Sequence, residues 1–194
     1  MAQDVLDTLN ELNIEKFSLI GHSMGGKVAM KMTEIAADRV DKLVVLDMSP
    51  IAYQQNHHDQ IFEALFAVQA DQPSSRKEAT EIMKKTISEE GVIMFLLKSW
   101  NQNQGWLFNL NVLKQFYPTI LGWGSIPTWS KSTLLIKGGN SFYISKSEHY
   151  NAIAQQFSHA DIKCIENAGH WLHAEKTEEV IHTINTFLNS AFDD

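Results

Sequence analysis

Apolar residues Ala2, Val5, Leu6, Leu9 and Leu12 recur at helical spacing, which predicts an amphipathic helix ahead of the short apolar run Phe17-Ser18-Leu19-Ile20. A second helix is expected from about Gly26 through Ile35 and Ala36. Leu43-Val44-Val45-Leu46 then forms a continuous apolar run ending in Asp47, as expected of a parallel strand covered on both faces. The pattern resumes later, with strand from Thr133 to Lys137, a turn at Gly138-Gly139-Asn140, helix from Lys146 to Phe157 and strand from Ile162 to Ile165. Thr177 is placed to cap a last helix that runs through Val180, Ile181, Ile184, Phe187 and Leu188, with Glu178 and Glu179 in its favourable first turn. Strand and helix in alternation predict an α/β protein with a parallel, doubly wound sheet.

The stretch from about Ile51 to Ser130 interrupts this alternation. It shows no strand pattern, two helix-like pieces around Gln60 to Gln69 and Ser75 to Leu97, and an aromatic stretch that includes Trp100, Trp106, Phe108, Phe116, Tyr117 and Trp123. An insertion of this length between two sheet strands reads as a helical cap. The predicted organisation is therefore a core of residues 1–50 and 131–194 with a cap, or lid, of residues 51–130. The aromatic side chains could line an acyl pocket but are read first as holding such a cap together, and none is assigned to substrate.

A chain of 194 residues with 44% hydrophobic content suits one folded core. The formal net charge of -7 argues against nucleic acid or an anionic membrane surface as partner. No apolar run approaches the roughly 20 residues of a membrane-spanning helix, and no signal sequence opens the chain, so a cytoplasmic address is expected. The single cysteine, Cys164, lies in a strand-like stretch and reads as a buried small hydrophobe.

Gly21-His22-Ser23-Met24-Gly25-Gly26 fits the G-x-S-x-G nucleophile elbow, in which a strand breaks sharply into a helix and the serine projects from a strained turn. Gly21 and Gly25 are expected to supply room beside Ser23, and Gly26 to let the helix pack closely. A serine hydroxyl needs an imidazole to take its proton and a carboxylate to stabilise the imidazolium. Among eight histidines, His170 is placed best, in the Gly-containing loop after the last strand. His22 should point away from the nucleophile, and surface roles are expected for His57, His58, His149, His159 and His182. His173 forms no metal cluster with His170, so no metal is expected.

The acid is less obvious. The common Gly-x-x-Asp turn reads here Gly138-Gly139-Asn140-Ser141, with serine where the carboxylate is expected. Glu148 is explained by a helix capping box in Ser145-Lys146-Ser147-Glu148, and Glu166 lies too near His170 in the chain. Asp47 ends the strand after the elbow, and if the two strands are neighbours, about 4.8 Å apart, it emerges beside Ser23. The expected catalytic set is Ser23, Asp47 and His170, with Ser141 as a second partner for the imidazole and the Met24 backbone N–H as an oxyanion donor.

The elbow, the strand end Leu46-Asp47-Met48-Ser49-Pro50, the turn Gly138-Gly139-Asn140-Ser141 and the run Ala168-Gly169-His170-Trp171-Leu172-His173-Ala174-Glu175 together resemble small bacterial serine esterases of the α/β-hydrolase superfamily, in the branch related to the abhydrolase-domain-containing proteins. The resemblance covers essentially the whole chain and implies hydrolysis of short- to medium-chain acyl esters, and of thioesters such as acyl-CoA, with no cofactor. A perhydrolase using the same residues is a weaker alternative. Such proteins carry further strands ahead of the elbow, whereas only 22 residues precede Ser23 here. The expectation is the later part of the sheet, with Phe17 to Ile20 as an open apolar edge. An inactive fragment that needs complementation, or that self-associates through that edge, is the second reading.

Overall fold

Val44 and Leu46 face one side of a parallel sheet and Val45 the other, and all three are buried, as a strand covered on both faces requires. The computed structural model describes residues 1–54 and 58–190. In chain order the elements are α1 (Ala2–Glu11), β1 (Phe17–His22), α2 (Met24–Ile35), β2 (Val40–Leu46), α3 (Asp59–Asp71), α4 (Arg76–Met83), α5 (Glu90–Leu96), β3 (Trp100–Asn101), β4 (Gly105–Trp106), α6 (Leu110–Gln115), α7 (Tyr117–Leu121), β5 (Thr133–Gly138), α8 (Ser147–Gln156), β6 (Ala160–Ile165), α9 (Leu172–Glu175) and α10 (Thr177–Asn189). They fall into two compact units, Met1–Ile51 with Trp123–Asp194, and Ala52–Gly122.

The first unit holds a four-stranded parallel sheet in the order β1-β2-β5-β6. On one face Val44, Leu46, Leu134, Ile136 and Ile165 pack with Leu172 of α9 and Val180 of α10. Each fully buried aliphatic side chain of this kind contributes about 1.5–3 kcal/mol. On the other face α2 lies close to β2, so close that a Cβ on Gly26 would stand 3.0 Å from Val45 Cγ1. Lys42, on the α10 face of β2 and 3% exposed, gives its ammonium to the carbonyls of Phe187 and Leu188, each at 3.0 Å, and of Ser190 at 2.7 Å. That places a cation where the helix dipole favours one, at the C-terminus of α10.

The strand and helix positions follow the hydrophobic pattern closely, with ends shifted by a few residues; Lys176 occupies the N-cap of α10 and Thr177 is its first helical residue. Cys164 differs from expectation, being exposed. β6 is an edge strand with Asp161, Lys163 and Cys164 all in solvent, so neither of its faces is covered there. The opposite edge, β1, leaves Ile20 51% exposed.

The second unit is mainly helical. The stretch read as one helix over Ser75 to Leu97 is two, α4 and α5, parted at residues 84–89, where Thr86, Ile87 and Ser88 are poor helix formers in succession. The aromatic stretch also contains strand, the two-residue hairpin β3-β4 pairing Trp100 with Trp106. Trp106 donates its indole N–H to Leu65 O at 2.9 Å and stacks on Phe108, while Phe62 meets Tyr117 edge-on at 5.0 Å between centroids. Of these rings only Phe62 is buried; the interior of the unit is mainly aliphatic, with Leu65, Val68, Met83, Ile93 and Leu97 buried.

Candidate active site

Ser23 stands between β1 and α2 with φ 54° and ψ -119°, a left-handed backbone that a residue with a side chain adopts only when its surroundings impose it. The imposition comes from glycine. A Cβ on Gly21 would lie 2.2 Å from Gly25 O and 2.7 Å from Gly26 N, so only glycine lets the strand end pass under the first turn of α2. Gly25 behaves otherwise than expected: a Cβ there meets nothing within 4 Å. The tight positions are therefore 21 and 26, and Gly25 contributes its backbone.

Register brings the acid alongside. His22 pairs with Leu46 across β1 and β2, so Ser23 and Asp47 are the next residues on adjacent strands. Asp47 is fully buried, with φ 52°. Its Oδ1 accepts the Gly138 N–H at 3.1 Å, and its Oδ2 accepts His170 Nδ1 at 2.8 Å and the Ser141 hydroxyl. A buried carboxylate satisfied at both oxygens can stay ionised at bearable cost. On the far side of the ring, His170 Nε2 lies 2.9 Å from Ser23 Oγ. Because Asp47 can only accept, the ring carries its proton on Nδ1 and presents a bare Nε2 lone pair to the serine hydroxyl. The Tyr143 ring stacks on the imidazole at 4.1 Å between centroids, and the His170 side chain is 11% exposed.

Of the residues singled out in the sequence, Ser23, His170 and Asp47 thus come together in one hydrogen-bonded chain. Ser141 belongs to it one step back, since its hydroxyl bonds Asp47 and accepts the Tyr143 N–H at 3.2 Å, leaving the imidazole to Asp47. Met24 is the first residue of α2, where a backbone N–H has no acceptor within the helix. One turn further on, Lys27 is buried, and burial pushes its ammonium down to about 8.

Several sequence expectations need correction. His22 belongs to the cluster around the His170 loop: its Nε2 lies 2.8 Å from His170 O, and its ring sits 4.7 Å from that of His170 and 4.3 Å from that of His173. His149 is buried, and its Nδ1 accepts the N–H groups of Ser145 and Lys146 at 3.0 and 3.3 Å, so the residue that caps α8 is His149 and the exposed Glu148 has no such part. His58 reaches the Tyr117 hydroxyl. His57 lies outside the described residues. Glu166 is exposed after β6. No group of three His, Cys, Asp or Glu gathers as a metal site among the described residues, and none of their helices is long and apolar enough to cross a membrane.

Comparison with known proteins identifies the family. Residues 1–177 match the family described as alpha/beta hydrolase fold. The esterase YbfF of Escherichia coli is 47% identical over 189 residues, which cover 97% of this chain and 74% of that protein. The sn-1-specific diacylglycerol lipase ABHD11 of Danio rerio is 38% identical over 198 residues, 97% of this chain but 62% of its own length. A marine microorganism esterase of known structure superposes with a TM-score of 0.87 at 29% identity, over 96% of this chain and 75% of that one. The chain belongs to the α/β-hydrolase fold family, and within it to the serine hydrolases that act on carboxylic esters. It spans 74% of the length of the Escherichia coli relative and 62% of that of the Danio rerio relative.

Proposed function

We propose that this protein hydrolyses short- to medium-chain acyl esters, and acyl thioesters of the same size, through an acyl-enzyme on Ser23. The observation that carries the proposal is the single imidazole bridging Ser23 Oγ at 2.9 Å and Asp47 Oδ2 at 2.8 Å. His170 takes the hydroxyl proton as Ser23 attacks the ester carbonyl, and the buried Asp47 stabilises the imidazolium that forms. The Met24 N–H receives the oxyanion at the dipole-positive start of α2. His170 then returns its proton to the leaving alcohol or thiol. A water deprotonated by the same imidazole attacks the acyl-enzyme, and the acid departs.

Turnover of p-nitrophenyl acetate and butyrate, with Ser23→Ala as control, tests this reading. Serine-dependent hydrolysis is expected, together with a fluorophosphonate adduct located on Ser23 by mass spectrometry. An adduct at another residue, or hydrolysis that survives Ser23→Ala, contradicts it.

A second reading is favoured by the half-exposed Ile20 on the edge strand β1. Unpaired apolar edges template association. In this reading the chain self-associates through β1 and is active only when that edge is covered. Sedimentation velocity would then show an oligomer that Ile20→Lys dissociates; a monomer with full esterase activity excludes it.

A further inference from the structure

The loop that carries His170 has no regular structure, yet three successive residues of its backbone are each held from a different part of the fold. Ala168 O accepts the Asn140 N–H at 2.9 Å from the turn after β5. The Gly169 N–H is shared by both carboxylate oxygens of Glu175, at 3.1 and 3.0 Å, from the end of α9. His170 O accepts from His22 Nε2 at 2.8 Å, at the end of β1. A carbonyl can only accept, so the His22 ring carries its proton on Nε2. Asn140 acts with its backbone alone, whereas Glu175 and His22 act with side chains.

We propose that His22 and Glu175 are positioning residues for the ester hydrolysis, gripping the backbone on either side of the His170 Cα so that the imidazole spans from Asp47 to Ser23. The inference rests on the esterase reading above. A reach of 2.9 Å at one ring nitrogen and 2.8 Å at the other leaves little tolerance, and displacing a reacting group by about 1 Å costs on the order of 10²-fold in rate. His22 sits next to the nucleophile in the chain, so the same residue that leads β1 into Ser23 also fixes the base that activates it. Glu175 works from the opposite side, and its carboxylate crowds Gly169, where an added Cβ would stand 3.2 Å from Oε1.

The test uses two pairs of variants and two readouts. His22→Leu removes the donor and His22→Gln retains one; Glu175→Leu removes the acceptor and Glu175→Gln retains one. With p-nitrophenyl butyrate, each Leu variant is expected to lower kcat by about 10- to 100-fold with KM within about threefold, and each Gln variant to recover most of the loss. In the proton NMR spectrum, the low-field resonance of the His170 Nδ1–H bonded to Asp47 should be sharp in the wild type and both Gln variants, and broadened by exchange in both Leu variants. That signal is independent of turnover. If the wild type proves inert, the esterase reading fails while the resonance still reports on the grip. Wild-type kcat and an unchanged resonance in the Leu variants overturn the proposal. So does equal impairment of Leu and Gln variants that tracks a common fall in melting temperature. Should His22→Leu not fold, the Glu175 pair decides alone.

Discussion

Ser23 and Asp47 are matched residues on neighbouring parallel strands, each the first position past the paired residues His22 and Leu46, and each has a left-handed backbone, with φ of 54° and 52°. The turn of the chain at the same point of two strands sends both side chains to one end of the sheet, where His170 joins them.

That backbone carries a cost that can be released. A non-glycine residue at such a φ is strained by about 1–3 kcal/mol. Ser23→Gly is therefore expected to abolish esterase turnover while raising the melting temperature, by about 2–4 °C for each kcal/mol of strain released, read by differential scanning calorimetry.

Asp47 and Ser141 separate by charge. Asp47→Asn keeps the shape but removes the charge that stabilises the imidazolium, and kcat is expected to fall by about 10⁴. Ser141→Ala removes one hydrogen bond to a carboxylate that still holds the ring, a loss of about 1.5–3 kcal/mol or 10- to 100-fold. Steady-state kinetics of both variants on one ester should give this order, and the reverse order would make the Ser141 hydroxyl, not the Asp47 charge, the main support of the imidazole.

The glycines of the elbow divide in the same testable way. Gly21→Ala places a Cβ 2.2 Å from the Gly25 carbonyl oxygen and is expected to destabilise by several kcal/mol, leaving little soluble protein. Gly25→Ala meets open space and should fold with a melting temperature at or above that of the wild type. Thermal denaturation of the two variants side by side checks the contrast.

His149 sets an acid limit on stability. Burial holds its imidazole below the ordinary value of 6.5, and its Nδ1 is occupied as an acceptor from two N–H groups. The unfolded chain then binds a proton more readily than the native one, so this contribution is complete above pH 6.5 and is lost as pH falls through the lower native value. Urea midpoints measured from pH 7.5 down to pH 5 should decline, and His149→Gln, which cannot titrate, should flatten that part of the decline.

The sheet and the residues that meet at its end were legible because each rests on a local signal. Leu43 to Leu46 is apolar throughout, Gly21 and Gly25 flank Ser23 at the spacing of the elbow, and Asp47 and His170 each follow a strand. What the pattern left out depends on neighbours distant in the chain. Cys164 is in solvent because no helix covers the edge strand there, and a strand's own residues do not reveal that it lies at an edge. His22 donates to the His170 carbonyl, 148 residues away in the chain, which only the folded loop brings within reach. The part played by His149 did have a local signal, since it stands at the third helical position of α8, where an imidazole nitrogen can take the place of a carboxylate in receiving N–H bonds.

Gly138, at the end of β5, gives its N–H to Asp47, and a Cβ there would meet Gly169 O at 2.2 Å and Ala168 O at 2.7 Å. The residue with the smallest side chain thus sets how closely Asp47 and the His170 loop can approach, and its influence is exerted by what it lacks. Any descendant sequence that acquires a methyl group at position 138 has to reroute the 168–170 loop in the same lineage or give up its chemistry, so the two segments are free to change only as a pair.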